Sequence, residues 1–294
     1  MVDRTTPATG VLAGVGGNPA TLRAVRWAAR EADVRGLSLD LVQVLPPSGH
    51  DHVLQEPSGR ARALLDHGRR VAAATAPDVP VRVSVVTGVA GPALVRVAEH
   101  AELLVLGSRS AQGDLDLTVG RIVAHAIGQA SCPVVLVPQM WDPDAAHSGG
   151  VLVRVDGSEE TVGAVAFAAT VADRWHAPLT PIAVASRRRS EADQRTQHEA
   201  IAAAVTGLAD RHPDVALTEV VAWGNPTDEI LRAARRGARL IVLSALGHRA
   251  LTASLLGSTT QAVIRLASCP VAVLPPQVAR SWAGRAAGRV GERR

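Results

Sequence analysis

The chain has no lysine and no tyrosine, and among its 294 residues there are one phenylalanine and two cysteines. All 31 residues counted as Lys or Arg are therefore arginine. A phosphate-binding P-loop needs its lysine, Schiff-base chemistry needs a desolvated amine, and a tyrosine acid or base needs a phenol, so these chemistries are excluded. Arginine does not replace them, because its guanidinium stays protonated at any working pH and serves only as a fixed charge or a forked donor. Long hydrophobic runs are missing too, and the first nine residues carry Asp3 and Arg4 with no apolar stretch behind them. The expectation is a cytoplasmic protein without signal peptide or membrane span. The two cysteines, Cys132 and Cys269, each precede a proline at the start of an apolar run, which reads as buried structural thiols in preference to redox sensors. No Cys/His spacing fits a metal site.

What is present is a chain 47% apolar and 20% charged, enough for two full cores in 294 residues. The stretch from Gln277 to the end holds Arg280, Arg285, Arg289, Arg293 and Arg294 against Glu292, so it carries the whole formal charge of +4. Residues 276–294 read as a basic, solvated Arg/Gly-rich tail. Gly284, Gly288 and Gly291 argue against a stable helix that could recognise nucleic acid, and no nucleic-acid partner is expected.

The sequence is written twice. Ala130-Ser131-Cys132-Pro133-Val134 recurs as Ala267-Ser268-Cys269-Pro270-Val271 at an offset of 137, and at the same offset Leu103–Leu106 meets Leu240–Leu243 and Gly120 meets Gly257. At an offset of 140, Gly10–Asn18 meets Gly150–Ser158, and Trp27 meets Phe167 as a matched core anchor. Gln139–Gly150 between the copies has linker composition. In the first copy, apolar strand signals at Val11–Val15, Leu37–Leu45, Val81–Val86, Leu103–Leu106 and Val134–Val137 alternate with helical periodicity, including an N-cap at Asn18 and helices over Pro92–His100 and Thr118–Ala130. Near-continuous apolar strands between helices predict an α/β fold with a parallel sheet covered on both faces. Such a sheet opens its ligand crevice beyond the carboxyl ends of the strands. In the second copy that places Asp156-Gly157-Ser158, Ala185-Ser186 and Ser244–Gly247 at the crevice.

A first strand ending in Val155-Asp156-Gly157-Ser158, a fourth strand followed by a glycine-bearing loop, a Gly257-Ser258 opening a helix and a last strand led by Ser268-Cys269-Pro270-Val271 together resemble the universal stress protein family. The resemblance covers domain 1 at residues 9–138 and domain 2 at 149–275, with 139–148 as linker. It implies, for each domain, a five-stranded parallel sheet flanked by helices, of the adenine nucleotide alpha hydrolase-like kind, and a stress-response role. Many members bind ATP, which makes ATP the expected cofactor, with Mg²⁺ where the triphosphate carries it. Members that bind ATP share Gly, two residues, Gly, nine residues, then Gly followed by Ser or Thr, and use an Asp at the end of the first strand towards the nucleoside.

Domain 2 reads Ser244, two residues, Gly247, nine residues, then Gly257-Ser258-Thr259, so one glycine of the pattern is replaced. Domain 1 reads Gly107, two residues, Ser110, nine residues, then Gly120-Arg121, and has Gly16 where domain 2 keeps Asp156. Asp114 and Asp116 in the domain 1 loop would face a triphosphate, each opposing it by about 1 kcal/mol even in high dielectric, with Arg121 as a partial counter-charge. Domain 2 has His248 and Arg249 in that loop instead. The expected site is therefore Asp156, Gly157, Val184 (whose backbone would flank the adenine), Ser244, Gly247, His248, Arg249, Gly257, Ser258 and Thr259, with Gly107, Gly120 and Arg121 as a weaker counterpart. Arg154 leaves the same face of its strand as Asp156, where the family usually has Gly, and can clamp a phosphate, pair with Asp156 or fill the adenine pocket. Ser244 is tolerable only with a negative φ. Arg187-Arg188-Arg189 reads as a solvated loop, with a phosphate or partner role open.

Adenylating enzymes and ATP pyrophosphatases on related folds carry a HIGH-type motif with a mobile lysine or an S-G-G-x-D-S loop, and a hydrolase of the elbow type carries G-x-S-x-G. None is present, and the chain is expected not to be an enzyme. The alternative to nucleotide binding is an interaction scaffold with both sites degenerate. The family's habit of pairing through last strands implies a homodimer or an intramolecular pseudo-dimer through Val134–Val137 and Val271–Leu274.

Overall fold

The computed structural model describes residues 9–18, 20–47, 59–108, 120–144, 149–185, 190–245 and 256–291. The chain divides between Asp144 and Ala145 into two compact units. In unit 1 the elements are β1 (Val11–Gly14), α1 (Ala20–Arg35), β2 (Leu39–Leu45), α2 (Gly59–Thr75), β3 (Val81–Thr87), α3 (Ala90–Val97), β4 (Leu103–Ser108), α4 (Arg121–Gln129) and β5 (Val134–Pro138). Unit 2 repeats the alternation as β6 (Val151–Val155), α5 (Glu159–Arg174), β7 (Leu179–Ala185), α6 (Glu191–Val205), α7 (Leu208–Arg211), β8 (Val220–Trp223), α8 (Pro226–Ala234), β9 (Leu240–Ser244), α9 (Ser258–Leu266) and β10 (Val271–Leu274). A last helix, α10 (Pro276–Gly291), follows.

Within unit 1 the strand order is β3-β2-β1-β4-β5, and within unit 2 it is β8-β7-β6-β9-β10. Every recorded pairing inside the units is parallel, with registers such as Val11↔Leu39 and Val11↔Leu103 in unit 1 and Val151↔Leu179 and Val151↔Leu240 in unit 2. Arg154 on β6 apart, the central strands are apolar on both faces and largely buried, Leu12, Leu103, Leu104 and Leu136 in unit 1 and Val153, Ile182 and Ile241 in unit 2. That is the two-sided burial expected of a parallel sheet covered by crossover helices. Asn18 caps α1 as the sequence predicts, its Oδ1 accepting from the Ala20 amide at 2.6 Å. Trp27 and Phe167 lie buried on α1 and α5, as matched core anchors.

Two stretches differ from their sequence reading. The expected solvated tail is a helix: α10 packs along α5, burying Val278, Ala279 and Ala286 and setting the Trp282 ring edge-on to Phe167 at 5.4 Å and 83°. The interior glycines each weaken such a helix by about 1 kcal/mol against alanine, but tertiary burial of one face outweighs propensity. Part of the tail's charge serves this packing, with Arg285 over the Trp282 ring at 4.6 Å and Arg280 beside Glu160 at 3.5 Å. Glu292, Arg293 and Arg294 lie outside the described residues. The second difference concerns the linker, 139–148, which up to Asp144 is fastened to α1. Arg23 donates to the Trp141 carbonyl at 2.8 Å, Arg30 donates to the Pro143 carbonyl, and Arg26 reaches Asp144 at 3.3 Å. These arginines recur at helical spacing along one face of α1. Trp141 is buried beneath them, and since Asp144 is largely exposed, the buried ring contributes more than the surface ion pairs.

At the offset of 140, Gly163 on α5 occupies the place of Arg23 on α1. A Cβ at Gly163 would stand 1.9 Å from the Ala279 carbonyl oxygen, so α10 lies directly on the α5 backbone there. Gly284 faces open space. Gly163→Ala is therefore expected to lower stability by about 1–3 kcal/mol through overpacking, and Gly284→Ala to raise it by about 0.5–1 kcal/mol. Urea denaturation of the two variants checks both signs.

Candidate functional site

The order reversal in unit 2 falls between β6 and β9, which leave their shared edge with crossovers to opposite sides of the sheet. The chain beyond their carboxyl ends lines the resulting crevice. Beyond β6 the sequence Asp156-Gly157-Ser158 turns sharply into α5, with Gly157 at φ +76°, in the left-handed region that glycine adopts without strain. Ser158 is the N-cap residue of α5.

Asp156 is the most heavily engaged polar group described at this end. Its Oδ1 accepts from the Ser158 amide at 3.1 Å, the Ser158 hydroxyl at 2.6 Å and the Thr161 hydroxyl at 2.6 Å. Its Oδ2 lies 2.9 Å from the Arg154 guanidinium, with side chains 8% and 16% exposed respectively. Of the three roles open to Arg154, the structure shows the pairing. Burial pushes the Asp156 carboxyl up, but Arg154 together with the Ser158 and Thr161 hydrogen bonds more than offsets this and holds it below the ordinary carboxylate value.

At the end of β9, Ser244 is buried, and its carbonyl accepts from the Thr260 hydroxyl at 3.1 Å, which ties α9 to the end of the strand. Ser244 meets its condition: His176 is the one non-glycine residue with positive φ among those described. The Gly257 amide donates to the Ala245 carbonyl at 3.0 Å, so the chain returns to the strand end before α9 begins. Gly257 is the N-cap of α9 at φ −63°, ψ 147°, followed by exposed Ser258 and half-buried Thr259. The first-turn amides of α9 have no carbonyl partners inside their own helix and give this end a partial positive charge. The φ of Gly257 is one any residue adopts, so the backbone there does not itself require glycine. Val184, half-buried near the end of β7, pairs with Ala222.

Unit 1 is built differently at the same places. Gly16 brings no carboxylate, while among the described residues the Thr21 hydroxyl stands 3.8 Å from the position of a Cβ, so the matching threonine remains. A Cβ at Gly107 would stand 2.7 Å from the backbone of Ala20, so this glycine is required by the close approach of α1. Gly120 caps α4 at φ −52° with no described residue near the position of a Cβ, and Arg121 behind it is exposed. Ser186, Gly247, His248, Arg249 and Arg187–Arg189 of unit 2, and Arg109, Ser110, Asp114 and Asp116 of unit 1, lie outside the described residues.

Sequence reasoning missed two residues of the unit 2 site. Thr161 carried a signal, since Thr21 stands at the same place in the first copy on an otherwise alanine- and valine-rich helix face. Thr260 carried none, as its counterpart is Val123. The cysteines are buried and burial pushes both thiols up to about 12, which leaves no thiolate for redox chemistry at neutral pH. No cluster of three or more His, Cys, Asp or Glu that could hold a metal occurs among the described residues. Nor is any described helix long and apolar enough to cross a membrane.

Two successive α/β units, each with a parallel sheet whose order reverses beside a glycine-capped helix, define a tandem doubly wound protein. The model of the Universal stress protein family matches residues 9–138 and again 149–275. A universal stress protein of Mycobacterium tuberculosis is 30% identical over 291 residues, covering 90% of this chain and 95% of its relative. One of Mycobacterium bovis is 30% identical over 289 residues, covering 90% and 96%. The crystal structure of a universal stress protein from Archaeoglobus fulgidus shares the fold, with a TM-score of 0.70 at 20% identity, covering 91% of this chain and 96% of that one. The chain belongs to the universal stress protein family and carries its domain twice.

A carboxyl whose folded-state pKa lies below its unfolded value stabilises the fold fully above the unfolded value and ceases to do so as the pH falls through the folded one. Asp156 is such a group. Wild-type stability in urea is expected to fall as the pH drops from about 5 towards 3, and Asp156→Asn is expected to lack that part of the slope.

Proposed function

We propose that this protein binds an adenine nucleotide, chiefly in unit 2, and acts as a regulatory stress protein without catalysing a reaction of its own. The observation that carries the reading is the pairing of a caged carboxylate at Asp156 with a glycine-capped helix N-terminus at Gly257-Ser258 across one order reversal. ATP fits the donor set: amides at the α9 terminus and the Ser258 hydroxyl suit phosphate oxygens, and a carboxylate suits the donors of a nucleoside. Asp156, Gly157, Val184, Ser244, Gly257, Ser258 and Thr259 would hold the nucleotide, with Gly247, His248 and Arg249 completing the loop. Unit 1 has neither the carboxylate nor the hydroxyl at these positions and serves as a degenerate partner. Scaffold function is the reading left if neither unit binds.

Calorimetric titration of the full chain with ATP and Mg²⁺ tests this, with heat of binding expected and its absence in folded protein counting against it. Gly257→Asp is expected to abolish binding and Gly120→Asp to leave it intact. Both glycines sit at N-caps with negative φ, where Asp is a favoured capping residue, so the substitution adds charge without backbone strain. Loss in Gly120→Asp alone would move the site to unit 1, and equal loss in both variants would overturn its placement in unit 2.

A further inference from the structure

Arg154 sits where the first copy has Gly14. A Cβ at Gly14 would stand 2.7 Å from the Leu106 side chain and 3.5 Å from that of Leu94, which locates this position on the sheet face that α3 covers. The counterpart of Leu106 is Leu243, next to Ser244 at the end of β9. The Arg154 side chain thus leaves β6 on the sheet face of the crevice helices and ends on Asp156.

The two oxygens of Asp156 are held by different means. Oδ1 is fixed by three donors from Ser158 and Thr161, all belonging to the turn and first turn of α5. Oδ2 receives Arg154. Withdrawing the guanidinium therefore leaves the carboxylate anchored by its cage. The guanidinium cannot be withdrawn for nothing: a largely buried cation taken off its carboxylate must find another anion. A neutral nucleoside offers none, whereas a phosphate presents oxygens that match the fork of a guanidinium.

We infer that Arg154 makes the unit 2 crevice selective for phosphorylated purine nucleosides over the nucleoside itself, by exchanging Asp156 for a ligand phosphate. This rests on the nucleotide reading of unit 2 and adds to it a condition that unit 1 lacks, since Gly14 stands there at the place of Arg154.

The full chain and Arg154→Met are titrated with adenosine, AMP and ATP. Methionine keeps the stem's apolar packing and removes the charge. The wild type is expected to bind AMP and ATP about tenfold or more tightly than adenosine, the size of one charge-assisted hydrogen bond. Arg154→Met is expected to narrow that preference by about tenfold, chiefly by weakening the phosphorylated ligands, and to leave whatever part the α9 amides supply. An unchanged preference in the variant overturns the inference. So does a common gain for all three ligands, which would make Arg154 a plug. Silence of all three ligands on folded wild type removes the nucleotide reading itself, and the exchange with it. A ligand-free control uses urea denaturation of Arg154→Met, Asp156→Asn and the double variant. Their losses are expected to be non-additive, and additive losses show that the pair from which the exchange starts does not couple.

Discussion

A parallel strand cannot be joined to its neighbour by a tight turn, so every connection in these two sheets is a crossover, and nearly all crossovers are helices. From β1 the chain first builds outwards through β2 and β3, then returns to β1's other edge for β4 and β5. Because crossovers are right-handed, that reversal puts the helices before it and those after it on opposite faces, α1 beside α2 and α3 beside α4. The sheet edge shared by β1 and β4, and in the second copy by β6 and β9, is then the one place where neighbouring strands part company at their carboxyl ends. The location of the caged carboxylate, the glycine-capped helix and the buried Ser244 all follow from this one constraint. Chemistry enters only through which side chains happen to stand there.

Two copies of the same backbone plan show how separable plan and chemistry are. Thr21 and Thr161 hold matching positions, yet only one of them has a carboxylate to bind. Gly107 is needed because α1 comes within contact of β4, while Ser244 at the matching place accommodates a side chain and accepts a hydrogen bond from α9. A glycine at this strand end can therefore be demanded by a helix packed on it, while its counterpart in the other copy carries a side chain.

The strand-and-helix order was legible because buried parallel strands are written as short apolar runs, and the duplication showed each run twice. Asn18 as a cap and Trp27 and Phe167 as core anchors were equally readable, since each rests on local spacing. The docking of α10 was not legible: three glycines and a dense basic charge describe a tail, and what reverses that description is Trp282 meeting Phe167, residues 115 positions apart. The Arg154–Asp156 pair was visible as one of three options because strand periodicity places both on one face, but only the three-dimensional cage around Oδ1 singles out pairing. Thr260 had no local or repeated signal at all.

After duplication, each copy had to shield the outer side of its first helix, and each did so with the chain that leaves its own last strand. In the first copy arginines reach out to a short extended segment; in the second a bare glycine lets a whole helix settle onto the backbone. The halves are thereby no longer interchangeable parts. A chimaera carrying α1 in place of α5 would drive the Arg23 side chain into the space that the Ala279 carbonyl fills, and one carrying α5 in place of α1 would leave the Trp141 segment without its fasteners. Copying the first helix of one half into the other would therefore undo the very contact that covers it, so at this place the halves are no longer spare parts for each other.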